Sequence, residues 1–288
     1  MTIMLLDFQN FCHRTRAGFT NEGSAFLFKF IRNLRALVAE LKPTSLVLVG
    51  EGSPTHRYEA YPDYKGHRRL KDDDKAFQEK YAELAEFKKA ANGARDFCLK
   101  SLEVSFVSHA ALEADDLIAG LALKLSGEGK QVVVASNDQD FRQLLGHGSP
   151  RIHVYDTGKK EYMTPVTGPD GRPLTAEQHV TLKALLGDKS DNVPPVPGFG
   201  PKKALKAAAA GDLGLVGETQ EAFERNVKLV RFLEVTPEMY RRVTLDRGRF
   251  DPAALLIDLQ MFEMHSLLEP KAYDRLVETF GSLGVVRL

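Results

Sequence analysis

Short apolar runs alternate with longer amphipathic stretches through the first half of this chain. Ile3–Leu6, Ser45–Val49, Leu102–Val107 and Gln131–Ala135 are strand-length apolar segments. Ala25–Leu41 repeats apolar residues at helical spacing and stops before Pro43. Ala111–Leu125 does the same, with Leu117, Leu121 and Leu125 on one face and Gly127 and Gly129 past its end. Continuous apolar strands spaced by helices predict an α/β fold, a mostly parallel sheet flanked by helices. Arg151–Val154 and Glu161–Thr164 read as a hairpin around Thr157 and Gly158.

The segment Tyr58–Lys100 is too long for a simple connection, so an insertion over the sheet is expected at about residues 60–100. After Gly168–Pro173 the pattern is helical only, with the Gly/Pro-rich loop Gly187–Pro201 between two helices. The resulting division is an α/β core over residues 1–170 and a helical region over residues 171–288.

Composition changes this picture little. The 39 basic and 39 acidic residues cancel, but the signs are segregated. Basic residues gather in Lys65–Lys71, Lys80–Arg95 and Lys202–Lys206, while aspartates cluster at a few short sites. Cys12 and Cys98 have no metal or redox spacing and read as reduced structural thiols. No apolar run approaches the roughly 20 residues of a membrane span. The opening MTIMLLDFQN lacks a basic n-region and a cleavage pattern, so a cytoplasmic protein is expected.

The candidate chemistry lies at the ends of the strands. Ile3–Leu6 runs into Asp7 and Ser45–Val49 into Glu51. Leu102–Val107 is followed by Glu113, Asp115 and Asp116, and Gln131–Ala135 by Asp138 and Asp140. Sites in open parallel sheets lie outside the carboxyl ends of the strands, so neighbouring strands would bring these acids to one rim. Any one of them alone reads as a turn or cap residue. Together they would repel one another unless hard cations such as Mg²⁺ or Mn²⁺ intervened. Two such ions can activate water and stabilise a leaving oxygen in phosphoryl chemistry. The missing Gly-rich loop after the first strand weakens a dinucleotide-binding reading.

A second signal is the loop before Leu205. Pro197, Gly198, Phe199 and Gly200 make a tight turn, and Pro201 suits the first helical position. Free N–H groups at that helix start form an anion site, and Lys202 and Lys203 add charge for a phosphate. Asp188 and Asp191 precede the turn and can face the acidic rim. The bland alternative is an ordinary pair of structural helices.

These residues resemble the 5′-nuclease, or flap endonuclease, superfamily, through most of residues 1–206. The specific motifs are EADD at Glu113–Asp116, SNDQDF at Ser136–Phe141, GDKSDNVPPVPGFGPKKA at Gly187–Ala204 and YKGHR at Tyr64–Arg68. The resemblance implies one metal site at Asp7, Glu51, Glu113, Asp115 and Asp116, and a second at Asp138, Asp140, Asp188 and Asp191. It implies that Lys65 and Arg68 contact the scissile phosphate at the base of a helical arch, and that Tyr64 stacks on a nucleobase. It makes the turn at Gly198–Gly200 part of a helix–three-turn–helix, at about residues 175–210, that grips duplex backbone, with K⁺ as a candidate ion. The family usually has Asp where this chain has Glu51, whose carboxylate reaches about one methylene further. The implied partner is branched or duplex DNA with 5′ ends, or an RNA–DNA hybrid, bound by a monomer that acts alone or beside a separate polymerase.

Two rival classes share part of this pattern. A PIN-type RNase has strand-end acids but lacks the Gly/Pro hairpin and its aspartates. A DNA-binding relative without catalysis would have lost metal ligands, and Glu51 is the only irregular position here.

Overall fold

A computed structural model describes residues 1–16, 23–66 and 75–286. In chain order the elements are β1 (Thr2–Asp7), α1 (Phe8–Arg16), α2 (Gly23–Leu41), β2 (Ser45–Val49), α3 (Thr55–Ala60) and α4 (Lys75–Ser101). There follow β3 (Val104–Ser108), α5 (Ala114–Gly127), β4 (Gln131–Ala135), α6 (Arg142–Leu145), β5 (Ile152–Asp156) and β6 (Glu161–Tyr162). The remainder is α7 (Ala176–Leu186), α8 (Pro201–Ala210), α9 (Glu218–Val230), α10 (Pro237–Arg241), β7 (Thr244–Arg247), α11 (Pro252–Met261), α12 (His265–Leu268) and α13 (Pro270–Gly281). Among the described residues no helix is long and apolar enough to cross a membrane.

The sheet has seven strands in the order β6-β5-β4-β1-β2-β3-β7. Pairings β1–β2, β1–β4, β2–β3 and β4–β5 are parallel, while the two edge strands β6 and β7 are antiparallel to their neighbours. The chain runs outward from β1 through β2 to β3, then returns to β4 on the other side of β1. The crevice beyond the carboxyl ends of β1 and β4 is therefore the topological switch point.

Side-chain alternation explains the two layers. Met4, Leu6, Leu46, Leu48, Val104 and Val133 face one core, shared with α1, α2 and α4. Ile3, Leu5, Val47, Val49, Val132 and Val134 face the other, shared with α5. Period-2 exposure of opposite faces, with both faces apolar, is what makes the strands read as continuous apolar runs.

Two expectations from sequence need correction. The helix over the later part of residues 60–100 is not wholly an insertion. Phe87, Ala91, Ala94, Phe97 and Cys98 of α4 are buried in the core against the sheet and α2. Nor is the region after residue 170 a separate all-helical unit. β7 joins the sheet beside β3, and Leu255, Leu259, Leu276 and Phe280 of α11 and α13 complete the same core as α2 and α4. An edge strand as short and polar as TLDR carries little periodic signal, so pattern reading passes over it.

Candidate active site

Each acidic segment is positioned by local structure. Asp7 is the last residue of β1, and its carboxylate accepts the Asn10 amide at 3.1 Å and the Ser136 hydroxyl at 2.9 Å. Glu51, just past β2, accepts the amide of Ala114, the first residue of α5, at 3.1 Å. A β-carbon at Gly52 would sit 1.9 Å from the His109 carbonyl oxygen, so the loops after β2 and β3 can cross this closely only with glycine there. After β4, Asp138 accepts the Asp140 amide at 2.9 Å and opens the short turn Gln139–Phe141, anchored by buried Phe141. A capping box of Thr175 and Gln178 starts α7, and Gly187 ends it at φ 69°. Paired bonds between the backbones of Asp188 and Val193, at 2.8 and 2.7 Å, then fold Asp188 and Asp191 back toward the rim.

The loop before α4 is tied to this second group. The Lys65 amide donates to the Asp191 carbonyl at 2.8 Å, and the Asn192 side chain donates to the Asp63 carbonyl at 2.8 Å. Lys65 itself is held at φ 53°. The Tyr64 hydroxyl donates to Asp191 at 2.9 Å and to Glu113 at 3.1 Å.

Among the described residues the pit holds more carboxylates than cations. Burial, reinforced by Asp138, pushes the Asp7 carboxyl up to about 6 despite its two hydrogen bonds. Glu51 stands at the open rim, yet the protein mass around it and neighbouring Glu113 push it up to about 7. Desolvation and the surrounding carboxylates Asp7, Asp138, Glu51 and Glu113 drive Asp115 well above the carboxylate range. Asp138 is raised by burial and by Asp191 and Asp188, although Lys183 works against the shift. Asp188 goes the other way, to about 2, because Ser190 and Lys183 outweigh its desolvation.

Three cations answer part of this charge. Arg57, at the buried end of α3, spends its five N–H donors on five acceptors. Nη1 reaches Glu113 at 2.5 Å and Asp116 at 2.6 Å, Nη2 reaches Asp116 at 2.7 Å and the Arg231 carbonyl at 3.3 Å, and Nε reaches the Leu229 carbonyl at 2.9 Å. The Lys65 ammonium contacts Glu113 and lies 3.8 Å from Asp191. The Lys183 ammonium, from α7, contacts Asp140 and lies 2.9 Å from Asp188.

The sequence-derived ligand sets are brought to one pit but are not preassembled. Among the described residues, no three Asp, Glu, His or Cys side chains already converge as ligands of one ion. The space bounded by Tyr64, Glu113, Asp115, Asp140, Asp188 and Asp191 is about 10 Å³, enough for roughly one water. The donor set nonetheless fits hard divalent cations: it is all oxygen, and Asp7, Glu51 and Asp115 are raised first by burial and then by neighbouring carboxylates. Asp7, Glu51, Glu113 and Asp115 would hold one ion, and Asp138, Asp140, Asp188 and Asp191 the other.

Several sequence expectations change here. Asp116 is fully buried and committed to Arg57 and to the Leu233 amide, which donates at 2.8 Å, so it does not join the open ligand set. Tyr64 is 2% exposed, and its ring packs among Val180, Val193 and Leu229, so it has no free face for a nucleobase. Arg68 lies outside the described residues. In the hairpin, Gly200 caps α8 and Pro201 takes its first turn. Lys202 and Lys203 are both exposed, but Lys203 also donates to the Gly198 carbonyl at 3.0 Å and lies over the half-buried Phe199 ring. Lys203 thus staples the turn. Arg57 and Lys183 escaped sequence reading; both sit in short helical segments where a lone cation reads as surface, and only their proximity to the motifs marks them.

A mostly parallel sheet thus carries an oxygen-rich pit at its switch point, with Asp188 and Asp191 from the loop between α7 and α8 among its walls. Residues 2–170 match the family described as 5′-3′ exonuclease, N-terminal resolvase-like domain, and the chain belongs to it. It is 36% identical over 185 residues to DNA polymerase I of Bacillus caldotenax, a match covering 62% of this chain and 19% of that protein. It thus spans about a fifth of that polymerase. In fold, it is similar to a bacteriophage T5 protein crystallised with metal ions, with a TM-score of 0.64 and 20% identity, over 97% of this chain and 99% of that one. It also superposes on a T5 flap endonuclease complex with DNA and metal ions, with a TM-score of 0.60 and 19% identity, over 98% of this chain and 100% of that one.

Proposed function

We propose that this chain is a metal-dependent 5′-nuclease that hydrolyses phosphodiester bonds of DNA near 5′ ends, as a 5′–3′ exonuclease and flap endonuclease. The observation that carries the reading is the acidic pit itself, which gathers the ends of parallel strands and the loop after α7 and whose carboxyls are raised by burial and by one another. Family membership and the T5 complexes with DNA and metal ions support it.

Mg²⁺ or Mn²⁺ bound by these carboxylates would acidify water and neutralise the leaving oxygen. The remaining roles belong to the chain. Asp7, Glu51, Glu113 and Asp115 on one side, and Asp138, Asp140, Asp188 and Asp191 on the other, fix where the scissile phosphate can sit. Lys65, standing over Glu113, swings to the phosphate oxygens and stabilises the added charge. Arg68, the neighbouring YKGHR cation, serves with it. Arg57 holds Glu113 in place and ties α5, through Asp116, to the last turn of α9. The N–H groups beside Pro201 and the exposed Lys202 grip the backbone of the duplex, and K⁺ is a candidate ion at that turn.

End-labelled 5′-flap, blunt duplex, RNA–DNA hybrid and single-stranded RNA substrates, incubated with and without Mg²⁺, test this reading. Metal-dependent release of short 5′ products from flap and duplex DNA supports it. Cleavage confined to single-stranded RNA would place the chain with PIN-type RNases instead.

A further inference from the structure

Lys183 is the anomaly of the pit. It projects from the last turns of α7, and its side chain is 18% exposed. Its ammonium contacts Asp140 and lies 2.9 Å from Asp188, and it acts electrostatically on Asp138. Those three carboxylates are most of one ligand set assigned above. Ser190 also donates to Asp188, through its amide at 2.7 Å and its hydroxyl at 2.6 Å. The adjoining free space holds roughly one water, and no ion-ready ligand group stands among the described residues.

We propose that Lys183 is a built-in cation that occupies the ion position between Asp140 and Asp188 in the metal-free protein, so that a divalent ion binds there only by displacing it. The proposal rests on the two-ion reading of the pit. An ammonium and a divalent ion compete for one pair of carboxylates, because their charges repel at close range and both seek the inward-facing oxygens. Lysine suits the role: its charge sits at the end of a flexible four-carbon stem that can swing out without moving the helix. In the metal-free state the lysine offsets repulsion that would otherwise splay the loop carrying Asp188. Its competition weakens one of two ion positions selectively, which makes ion binding sequential. Lys183 is a positioning residue in this scheme and touches no substrate.

The test is Mn²⁺ binding to the full chain without DNA, with free Mn²⁺ counted by electron paramagnetic resonance. Wild type, Lys183→Met and Lys183→Arg are compared, since Arg keeps the competing charge. The expected result is two classes of site in wild type, with the weaker constant tightened at least tenfold in Lys183→Met and little changed in Lys183→Arg. Acetylation of Lys183 in wild type, followed by mass spectrometry, should accelerate several-fold when Mn²⁺ saturates the protein. That labelling decides the matter even if Lys183→Met does not fold. An unchanged or looser weak site in folded Lys183→Met, or acetylation that Mn²⁺ leaves unchanged or slows, overturns the proposal while leaving the two-ion site intact. Absence of Mn²⁺ binding in all three proteins removes the metal centre and this proposal with it.

Discussion

Arg57 and Asp116 form a buried bidentate pair, with Nη1–Oδ2 and Nη2–Oδ1 distances of 2.6 and 2.7 Å. Burial alone would lower the guanidinium's proton affinity, but Asp116 and Glu113 more than restore it. The same guanidinium holds the carbonyls of Leu229 and Arg231, so one side chain joins the acidic pit to the C-terminal end of α9. Arg57→Met would leave Asp116 buried without its cation and with only the Leu233 amide as a donor, at a cost of about 3–5 kcal/mol in urea unfolding. The exposed pair of Arg231 with Glu177 provides the contrast: Glu177→Ala should cost under about 1 kcal/mol. Equal costs for the two variants would remove Arg57 as an anchor.

The raised carboxyls predict a pH signature. A carboxyl whose folded pKa lies above its unfolded value binds more protons when folded, so stability falls as pH rises between the two values. For Asp7 the window runs from about 4 to about 6, and for Glu51 from about 4.5 to about 7. Buried His179, lowered to about 4 by desolvation, pulls the opposite way, so the difference between wild type and variant is the useful quantity. In EDTA, Asp7→Asn should gain thermal stability relative to wild type as pH rises from 4 to 7. Saturating Ca²⁺ should shrink that gain. A pH-independent difference would mean that Asp7 is not strained in the folded state.

Lys65 rests on Glu113 and is fixed by its own backbone bond to Asp191. Lys65→Ala should slow single-turnover cleavage on the order of 10²-fold, with a much smaller change in DNA affinity measured in Ca²⁺. Matched losses in rate and affinity would reduce Lys65 to a phosphate anchor.

The parts of this site visible in sequence share one property: the chemistry sits next to a strong local pattern. Asp7, Asp138 and Asp140 follow apolar strands, and Asp188 and Asp191 precede a Gly/Pro turn, so topology alone gathers them. The motifs located Tyr64 but not its burial, because the wall of Val180, Val193 and Leu229 comes from distant helices. Asp116 was grouped with its EADD neighbours, but helix geometry turns it onto Arg57, a partner 59 residues away. β7 was illegible because a short polar edge strand is defined by its neighbour β3 rather than by its own residues.

The hairpin divides its two lysines. Lys202 and Lys203 are both exposed, but Lys203 also bonds the Gly198 carbonyl. Lys202→Ala should weaken branched-duplex binding and lower the slope of log affinity against log salt by roughly 0.9. Lys203→Ala should instead loosen the turn, and it should flatten the salt dependence less than Lys202→Ala does. Identical slopes for wild type and Lys202→Ala would make that lysine a solvated helix residue.

The central claim is that carboxylates at the switch point perform metal-dependent cleavage of DNA, and Asp115 with Asp138 tests it most directly. Burial and neighbouring acids raise both, Asp115 well above the carboxylate range, so making both neutral relieves repulsion. Single-turnover cleavage of a 5′-flap duplex in Mg²⁺ by the Asp115→Asn, Asp138→Asn double variant is the decisive measurement. The account predicts cleavage below detection, with a metal-free thermal midpoint equal to or above that of wild type. Cleavage at the wild-type rate by the folded double variant would contradict it.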